Sequence, residues 1–239
     1  MQSKAKQAGF TLLEIAIVLI VTGLLLGGIL KTQEMITQAR IKNVVNDFNG
    51  ITGAYFAYQD RYRAVPGDDG QAATRWADPS PPGGSKNGNG SGVIGGKYMA
   101  SPPADLLAAT VDDTAGESNN FWWHLRLSGF VAGATSGPAA WSQPVNAVGG
   151  LVGVQNGSPG TGAAAPRLAG LVLCSANVPD KVARAVDTQV DDQRSSTGLM
   201  FAYPQGAASN PDIDGATPIY AATAYVETGS NQYVICKKI

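Results

Sequence analysis

The stretch GFTLLEIAIVLIVTGLLLGGIL occupies Gly9–Leu30 and determines most of what the sequence predicts. It is one apolar block with a single charged residue, Glu14, and it follows Lys4 and Lys6. About 20 consecutive apolar residues are enough to cross the hydrocarbon core of a bilayer as a helix. A carboxylate inside such a block costs about 2.5–3.5 kcal/mol near the membrane centre and less near the interface. Because the charge is costly, we expect Glu14 to have a specific role.

The hexapeptide GFTLLE, with the short basic leader before it and the apolar run after it, resembles the N-terminus of type IV pilins and of type II secretion pseudopilins. In this family a prepilin peptidase removes the leader after the glycine, and the new terminal residue is N-methylated. The resemblance implies cleavage between Gly9 and Phe10 and methylation of Phe10. It also implies that Glu14 pairs with the N-terminal amine of a neighbouring subunit, which would offset the cost of a buried charge and set the assembly register.

Two other interpretations of the N-terminus compete with this one. An ordinary secretory signal peptide also has a basic start and an apolar core. Here the apolar run is too long for that, contains Glu14 and lacks a convincing small-x-small cleavage site. A plain single-pass anchor explains the length of the run but not the position of Glu14. All three interpretations place Lys4 and Lys6 in the cytoplasm and export the C-terminal bulk, although Arg40 and Lys42 on the other side weaken the charge asymmetry.

The composition agrees with an exported, largely globular remainder. The chain has 239 residues, and loss of the leader removes two lysines and leaves 15 basic and 18 acidic side chains. This balance provides no basic field for nucleic acid. The part that follows the apolar block is long enough to form one domain with its own core.

An amphipathic helix is predicted to continue from the apolar block. From Lys31 to about Tyr62, apolar residues recur at intervals of mostly three or four, which is the period of one helix face. No proline occurs between Met1 and Val65, so one helix should run from about Thr11 to about Arg61. The expected organisation is a leader (1–9), a membrane or filament-core helix (10–30), a helical extension (31–63) and a head (64–239).

The head is predicted to be an antiparallel sheet packed against this helix, which makes the fold class α+β and pilin-like. Val65-Pro66-Gly67 ends the long helix, and the segment Asp78–Gly96 is an expected surface loop. A short helix is predicted at Phe121–Leu127, with Ser118 or Asn119 as its cap. Five apolar runs bounded by turn residues are candidate strands: Leu151–Val154, Leu168–Cys174, Leu199–Tyr203, Tyr220–Val226 and Tyr233–Cys236.

Four motifs along the head are also similar, in their order, to a group of large proteins with prepilin-type N-termini. The motifs are YRAVPGD (62–68), NGNGSG (87–92), FWWHL (121–125) and DTQVDDQRSSTG (187–198). This similarity implies no activity. Many major pilins have a proline near the position of Lys31, which this long chain lacks, and both features favour a minor pilin or a pseudopilin.

Cys174 and Cys236 are the two cysteines of the chain, and both lie in the exported part. A pair in an oxidising compartment usually forms a disulfide, worth roughly 4 kcal/mol by loop entropy and less if strained. The alternative is two buried thiols. The bond would resemble the C-terminal disulfide of many type IV pilins.

Two loops have the oxygen-rich spacing that calcium prefers. Asn210, Asp212, Asp214 and Gly215 match positions one, three, five and six of an EF-like loop, but position twelve is Ala221 instead of glutamate. Asn87, Asn89, Ser91 and Gly92 have the same spacing without a carboxylate. Calcium also occurs in the C-terminal region of major pseudopilins. Asn210, Asp212 and Asp214 are therefore a candidate calcium site, ordinary Asx-turns are the simpler explanation for both loops, and no other cofactor is expected.

No catalytic constellation is recognisable. His124 is the single histidine and follows Trp122 and Trp123 in the predicted short helix, where it is expected to be a packed residue and not a general base. Asp191 and Asp192 would point apart on a strand and form no carboxylate pair, so Asp187, Asp191 and Asp192 are expected to line a polar loop.

We therefore expect a structural subunit, not an enzyme. Its partners would be other pilins in a helical filament, the prepilin peptidase, the inner-membrane assembly platform and the lipid bilayer. Its location would be the bacterial inner membrane, with a periplasmic head, and then a pilus or pseudopilus at the cell surface. The alternative is a membrane-anchored periplasmic binding module that does not polymerise.

Overall fold

A computed structural model of the chain describes residues 11–76, 87–100, 116–157, 168–205, 210, 213 and 225–239. The helices are α1 (Leu12–Tyr62), α2 (Ala72–Arg75), α3 (Glu117–Leu127) and α4 (Asp180–Val190), with a short 3-10 helix at Pro138–Ala140. The strands are β1 (Val152–Gly157), β2 (Gly170–Pro179), β3 (Met200–Pro204) and β4 (Gln232–Lys238). The fold class is α+β, as predicted.

Helix α1 is continuous over 51 residues, which confirms the long helix predicted from the absence of proline. It ends where Arg63 adopts a left-handed conformation with φ of 53° and Pro66 follows. Its buried residues are spaced by three or four along one face: Ile41, Val44, Phe48, Ile51, Ala54 and Tyr58. The predicted apolar stripe is therefore part of the core.

The chain divides into two units, residues 1–39 and residues 40–239. In the first unit, every large apolar side chain between Leu12 and Leu30 is exposed. In the second unit, the later part of α1 packs with the sheet and the other helices in one core. The boundary between the units lies inside α1, so the helix is a single element that runs through two environments.

The sheet has four antiparallel strands in the order β1-β2-β4-β3. Four of the five predicted strands are confirmed, each with shifted ends. The fifth prediction, Tyr220–Val226, lies mostly outside the described residues, and its described part is wrong because Tyr225 and Val226 belong to no strand. There the backbone N–H of Val226 donates to the Tyr233 hydroxyl at 2.9 Å instead of to a strand partner.

The two faces of the sheet enter different apolar clusters, as the alternation of side chains along a strand requires. Leu173 and Ile235 join the main core, which contains the buried stripe of α1. Val172, Cys174 and Cys236 point to the opposite face, where they pack with Tyr98. The sheet is therefore covered on both sides, by helices on one face and by the segment around Tyr98 on the other.

Three helices differ from the sequence prediction, the first being the four-residue α2, which was not predicted. Helix α3 begins at Glu117, four residues before the expected start, and neither Ser118 nor Asn119 is its cap. Asn119 is a buried helical residue whose side-chain amide donates to the carbonyls of Ala100 and Trp141. Helix α4 was not predicted at all. It begins directly after β2 and buries Val182, Ala183 and Val186 on one face.

Candidate functional site

The N-terminal hexapeptide ends in a helix-capping arrangement between Thr11 and Glu14. The Thr11 Oγ1 accepts a hydrogen bond from the Glu14 backbone N–H at 3.2 Å, and Glu14 Oε2 accepts one from the Thr11 N–H at 2.8 Å. The Thr11 hydroxyl also donates to Glu14 Oε2 at 2.8 Å. This reciprocal pattern is a capping box, which satisfies two backbone donors at the start of a helix. Glu14 therefore has a partner within its own chain.

The apolar part of α1 has the properties of a membrane-spanning segment. Among the described residues, α1 is the one helix long and apolar enough to cross a membrane, with a mean hydropathy of 2.5 in its most apolar window. None of that window is buried by the protein. These properties support membrane anchoring. The predicted cleavage and methylation positions, Gly9 and Phe10, lie outside the described residues.

Three of the motifs noted in the sequence of the head meet at the end of α1. Asp68 is buried, and its carboxylate accepts hydrogen bonds from the backbone N–H groups of Gly90 at 2.7 Å, Ser91 at 3.2 Å and Gly92. Gly88 lies so close that a Cβ at this position would be 2.2 Å from the Asp68 Cα. The NGNGSG segment is thus wrapped around one carboxylate from the VPGDD turn.

Glu117, the first residue of α3, fixes the same loop from the other side. Its carboxylate accepts the N–H groups of Asn89 at 3.0 Å and Gly95 at 2.8 Å, and it is fully buried. Burial raises the pKa of Glu117, and the nearby charge of Asp68 acts in the same direction, while the two backbone donors oppose it. Two buried carboxyl groups therefore share one network of backbone donors.

Asp69 connects this loop to α1. The Tyr58 hydroxyl donates to Asp69 Oδ2 at 2.7 Å, and Arg75 forms an ion pair with the same carboxylate. Burial acts to raise the pKa of Asp69, but the hydrogen bonds from Arg75, Tyr58 and the Gln71 N–H outweigh it and hold that pKa below its usual value. Burial and the Asp69 charge raise the pKa of Tyr58.

His124 completes the cluster in a structural role. It is fully buried, it stacks near the Tyr58 ring, and its Nδ1 accepts the Gly67 N–H at 2.9 Å. Gly67 has a φ of 94°, and a Cβ there would lie 2.6 Å from the Glu117 carbonyl oxygen. The histidine therefore fixes a glycine turn.

The fourth motif forms a cluster of carboxylates that the sequence did not predict. Asp187 lies in the last turn of α4, and Asp191 and Asp192 follow the helix. One oxygen from each lies within 4.8 Å of the others, so the expectation that Asp191 and Asp192 form no pair is wrong. The two residues are not on a strand. The chain turns at the end of α4, and the Asp191 backbone N–H remains bonded to the Asp187 carbonyl.

Asp187 is the buried member of this cluster. Burial raises the pKa of Asp187 to about 6, and the charges of Asp191 and Asp192 act in the same direction, whereas the Tyr225 hydroxyl and the Gln193 N–H oppose it. Its Oδ2 accepts the Tyr225 hydroxyl at 2.6 Å. Its Oδ1 is buried and has no hydrogen-bond partner among the described residues.

The predicted disulfide is present between Cys174 and Cys236. These residues are directly opposite each other in the register of β2 and β4, the two central strands of the sheet. The alternative of two buried free thiols is therefore excluded. The bond closes a loop across 62 positions of sequence and fastens the last strand of the chain to the sheet.

The two loops with calcium-like spacing have different outcomes. Asp212 and Asp214 lie outside the described residues, and Asn210 Oδ1 accepts the Leu151 N–H at 2.9 Å. In the NGNGSG loop, Asn87 Oδ1 accepts the Ala73 N–H and Asn89 Oδ1 accepts the Ser91 N–H, the second being an Asx-turn. That loop turns N–H groups toward Asp68. Calcium at Asn210, Asp212 and Asp214 stays a prediction.

Comparison with known proteins yields one match. Residues 4–30 match the family model described as the prokaryotic N-terminal methylation motif. No curated protein and no solved structure matches the chain. The chain thus carries the prepilin signal of type IV pilins and pseudopilins, and this signal coincides with the capping box and the exposed apolar part of α1.

Proposed function

We propose that the chain is a structural subunit of a type IV pilus or a type II secretion filament, of the minor pilin or pseudopilin kind. It is held in the inner membrane by the first part of α1, with its head in the periplasm, and it is processed by a prepilin peptidase between Gly9 and Phe10. Methylated at Phe10, it then joins other pilins through the same helix. The proposal describes a structural protein, not an enzyme.

One observation carries this proposal: the methylation motif, residues 4–30, includes the first part of α1, where every large apolar side chain from Leu12 to Leu30 is exposed. Exposed apolar surface on this scale requires a partner, either lipid or another apolar helix. Lipid supplies that partner before assembly, and the helices of sister subunits replace the lipid in a filament. An ordinary single-pass anchor needs only the lipid, so assembly is the step that the experiments must test.

Glu14 provides the sharpest test because its charge and its capping role can be separated. Glu14→Gln keeps an acceptor for the Thr11 N–H, since glutamine also serves in a capping box, but it removes the charge. Glu14→Ala removes both. If Glu14 pairs with the terminal amine of a neighbour, both variants should remain in the membrane and both should be absent from sheared filaments.

Glu34→Gln is the matched control. Glu34 is an exposed acid on the same helix, and it pairs with Lys31 within its own chain at 2.8 Å. It should assemble like the wild type. Two measurements are needed. Immunogold labelling of sheared filaments reports assembly, and the amount of each variant in the membrane fraction of the same cells reports membrane insertion.

The outcomes distinguish the two functions. Normal incorporation of Glu14→Gln with loss of Glu14→Ala would assign Glu14 to capping alone. Absence of the wild-type chain from every filament, with normal cleavage after Gly9, would favour the membrane-anchored binding module that does not polymerise. Mass spectrometry of the mature N-terminus reports cleavage and methylation independently of assembly.

A further inference from the structure

We propose that the turn at residues 191–198 closes one edge of the sheet and so prevents the head from pairing with the sheet of a second copy of this chain. Strand β3 is an outer strand in the order β1-β2-β4-β3, and the turn ends just before it. An outer strand has a row of backbone groups without a strand partner, and another chain can pair with that row. This turn, the edge guard, occupies the row.

The register of β3 and β4 shows which backbone N–H groups of β3 point toward the edge. Directly after β3, the Gln205 N–H donates to the Gln232 carbonyl at 2.9 Å. Hydrogen-bonded and non-hydrogen-bonded pairs alternate in an antiparallel ladder, so the odd-numbered positions of β3 bond to β4. The even-numbered positions turn their backbone groups away from β4, and these are Met200, Ala202 and Pro204.

Each of the three outward positions is closed in a different way. Asp191 Oδ2 accepts the Met200 N–H at 2.8 Å, and it also accepts the N–H of the preceding residue. The Ser195 carbonyl accepts the Ala202 N–H at 2.9 Å. Pro204 has no N–H to offer to an incoming strand. Every outward N–H of β3 is therefore either bonded to the edge guard or absent.

The edge guard is itself held in a fixed shape. Asp192 Oδ1 accepts the Arg194 N–H at 3.0 Å, and Asp192 Oδ2 accepts the Thr197 hydroxyl at 2.6 Å. Gly198 has a φ of 80°, and a Cβ at this position would overlap the Asp191 carboxylate. Glycine is therefore needed for that carboxylate to reach the strand. The two adjacent acids thus have separate tasks, because one closes the strand and the other braces the turn.

The sequence of β3 explains why an open edge would be a hazard. The run Leu199–Tyr203 (LMFAY) carries no charge, and Pro204 follows it. Uncharged runs of apolar and aromatic residues without proline are the segments that pair between chains and aggregate. Heads anchored in one membrane meet at high local concentration, so a closed edge would keep their sheets separate.

The test compares variants of the full chain in detergent. Asp191→Ala removes the acceptor of the Met200 N–H, and the double variant Asp191→Ala with Pro204→Val also restores an outward N–H at the other end of β3. In dilute Asp191→Ala, hydrogen exchange at the Met200 N–H should be about tenfold faster or more, because a hydrogen bond to a charged group is lost. Sedimentation should show that the double variant associates at concentrations where the wild type does not. Protection of Met200 should return as the freed edges pair.

Two control variants separate an open edge from a weakened head. Asp191→Asn retains a side-chain carbonyl oxygen as an acceptor, so it should keep both the protection of Met200 and the sedimentation of the wild type. Val154→Ala is the control for stability. Val154 is fully buried in β1, and its truncation weakens the core without opening β3. Pro204→Val alone removes no hydrogen bond and should associate less than the double variant, so it remains informative if Asp191→Ala does not fold.

Three results would each overturn the proposal. One is unchanged exchange at Met200 in Asp191→Ala. Another is sedimentation of the double variant as the wild type. The third is association of Val154→Ala to the same extent as the double variant, which would mean that partial unfolding drives association. Because sedimentation is measured on unassembled protein and against the wild type, failure here is distinguishable from failure of filament assembly.

Discussion

The two parts of α1 form a natural comparison, because they share one backbone conformation but differ in what surrounds them. From Leu12 to Leu30 the side chains are apolar on every face, and the large ones are all exposed. From Ile41 to Tyr58 six apolar residues line one face and are buried, whereas most residues on the other face are polar and Phe56 there is exposed. Helix propensity therefore does not distinguish the two parts. The distribution of side chains around the axis does.

This difference indicates how each part is stabilised. A helix that is apolar all round needs a surrounding apolar medium, whereas an amphipathic helix is stabilised by tertiary packing of one face. The first part can exchange one apolar medium for another without disturbing its own fold, which is what the proposed assembly requires. The second part cannot leave its partners without opening the core of the head. Substitutions of the same kind should consequently destabilise the head when they lie in the second part and leave its stability almost unchanged when they lie in the first.

The largest contrast is expected from Phe48→Ala and Leu24→Ala. Phe48 is only 1% exposed in the core, so its truncation should lower the free energy of unfolding of the head by about 3–5 kcal/mol. Leu24 is 74% exposed, and its truncation should change that free energy by less than about 0.5 kcal/mol. Urea unfolding of the full chain in detergent, followed by tryptophan fluorescence, measures both because all four tryptophans lie beyond residue 75. Equal effects would contradict the comparison.

The sequence predicted a region well where local patterns determine its structure. The long helix needed only the absence of proline and a local apolar period, and four strands needed only short apolar runs between turns. Helix α4 was missed because its apolar face consists of three residues, Val182, Ala183 and Val186, in an 11-residue helix rich in polar side chains. The apolar residues Val182, Ala183 and Val186 do have helical spacing, but three residues shortly after Pro179 are too few to predict a helix.

The sites depended more strongly on tertiary structure. The TLLE sequence of Thr11–Glu14 is itself a capping-box signature, but the membrane interpretation of the same residues concealed it. The clustering of Asp187 with Asp191 and Asp192 depends on where α4 ends, and no helix was predicted there. The burial of Asp68 by the NGNGSG loop joins segments about twenty residues apart. No local pattern specifies which backbone donors a carboxylate will meet.

The disulfide sharpens the comparison because it stabilises the head alone. Replacing both Cys174 and Cys236 by alanine should lower the free energy of unfolding of the head by about 2–4 kcal/mol. The apolar part of α1 contains no cross-link, so the variant should retain its membrane fraction and the helical circular dichroism of that part. Urea unfolding with and without reductant is the measurement. Stability that is indifferent to both the reductant and the double substitution would show that the bond contributes nothing.

Glycine substitutions test the same contrast on a smaller scale. A Cβ at Gly88 would lie 2.2 Å from the Asp68 Cα, so Gly88→Ala should lower the free energy of unfolding by about 1–3 kcal/mol through forced backbone shifts. At Gly23 no atom lies within 4 Å of the corresponding Cβ, so Gly23→Ala should leave the stability of the head unchanged. The loss at Gly88 should appear as faster hydrogen exchange at the N–H groups that Asp68 accepts. Normal protection of Gly90 and Gly92 in that variant would argue against the packing described for the loop.

The smallest expected effect is a dependence on pH that arises from Glu117. Because burial and Asp68 raise the pKa of Glu117, the native state binds its proton more tightly than the unfolded chain does. The contribution of Glu117 to the free energy of unfolding should therefore fall as the pH rises from the ordinary glutamate pKa to the raised one, and stay constant above it. The observable is the difference between wild type and Glu117→Gln as a function of pH. A constant packing defect in the variant shifts that difference without changing its slope.

Glu34→Gln is the control from the exposed part of the chain. Glu34 is solvated and pairs only with Lys31 among the described residues, so its removal should leave the pH profile of head unfolding unchanged. A difference between wild type and Glu117→Gln that increases with pH would mean that the backbone donors from Asn89 and Gly95 outweigh burial. The carboxylate would then be held in its charged form, and the loop would be stabilised, not strained, at neutral pH. If the difference in free energy of unfolding between wild type and Glu117→Gln instead falls as the pH rises, ionisation of Glu117 beside Asp68 destabilises the head.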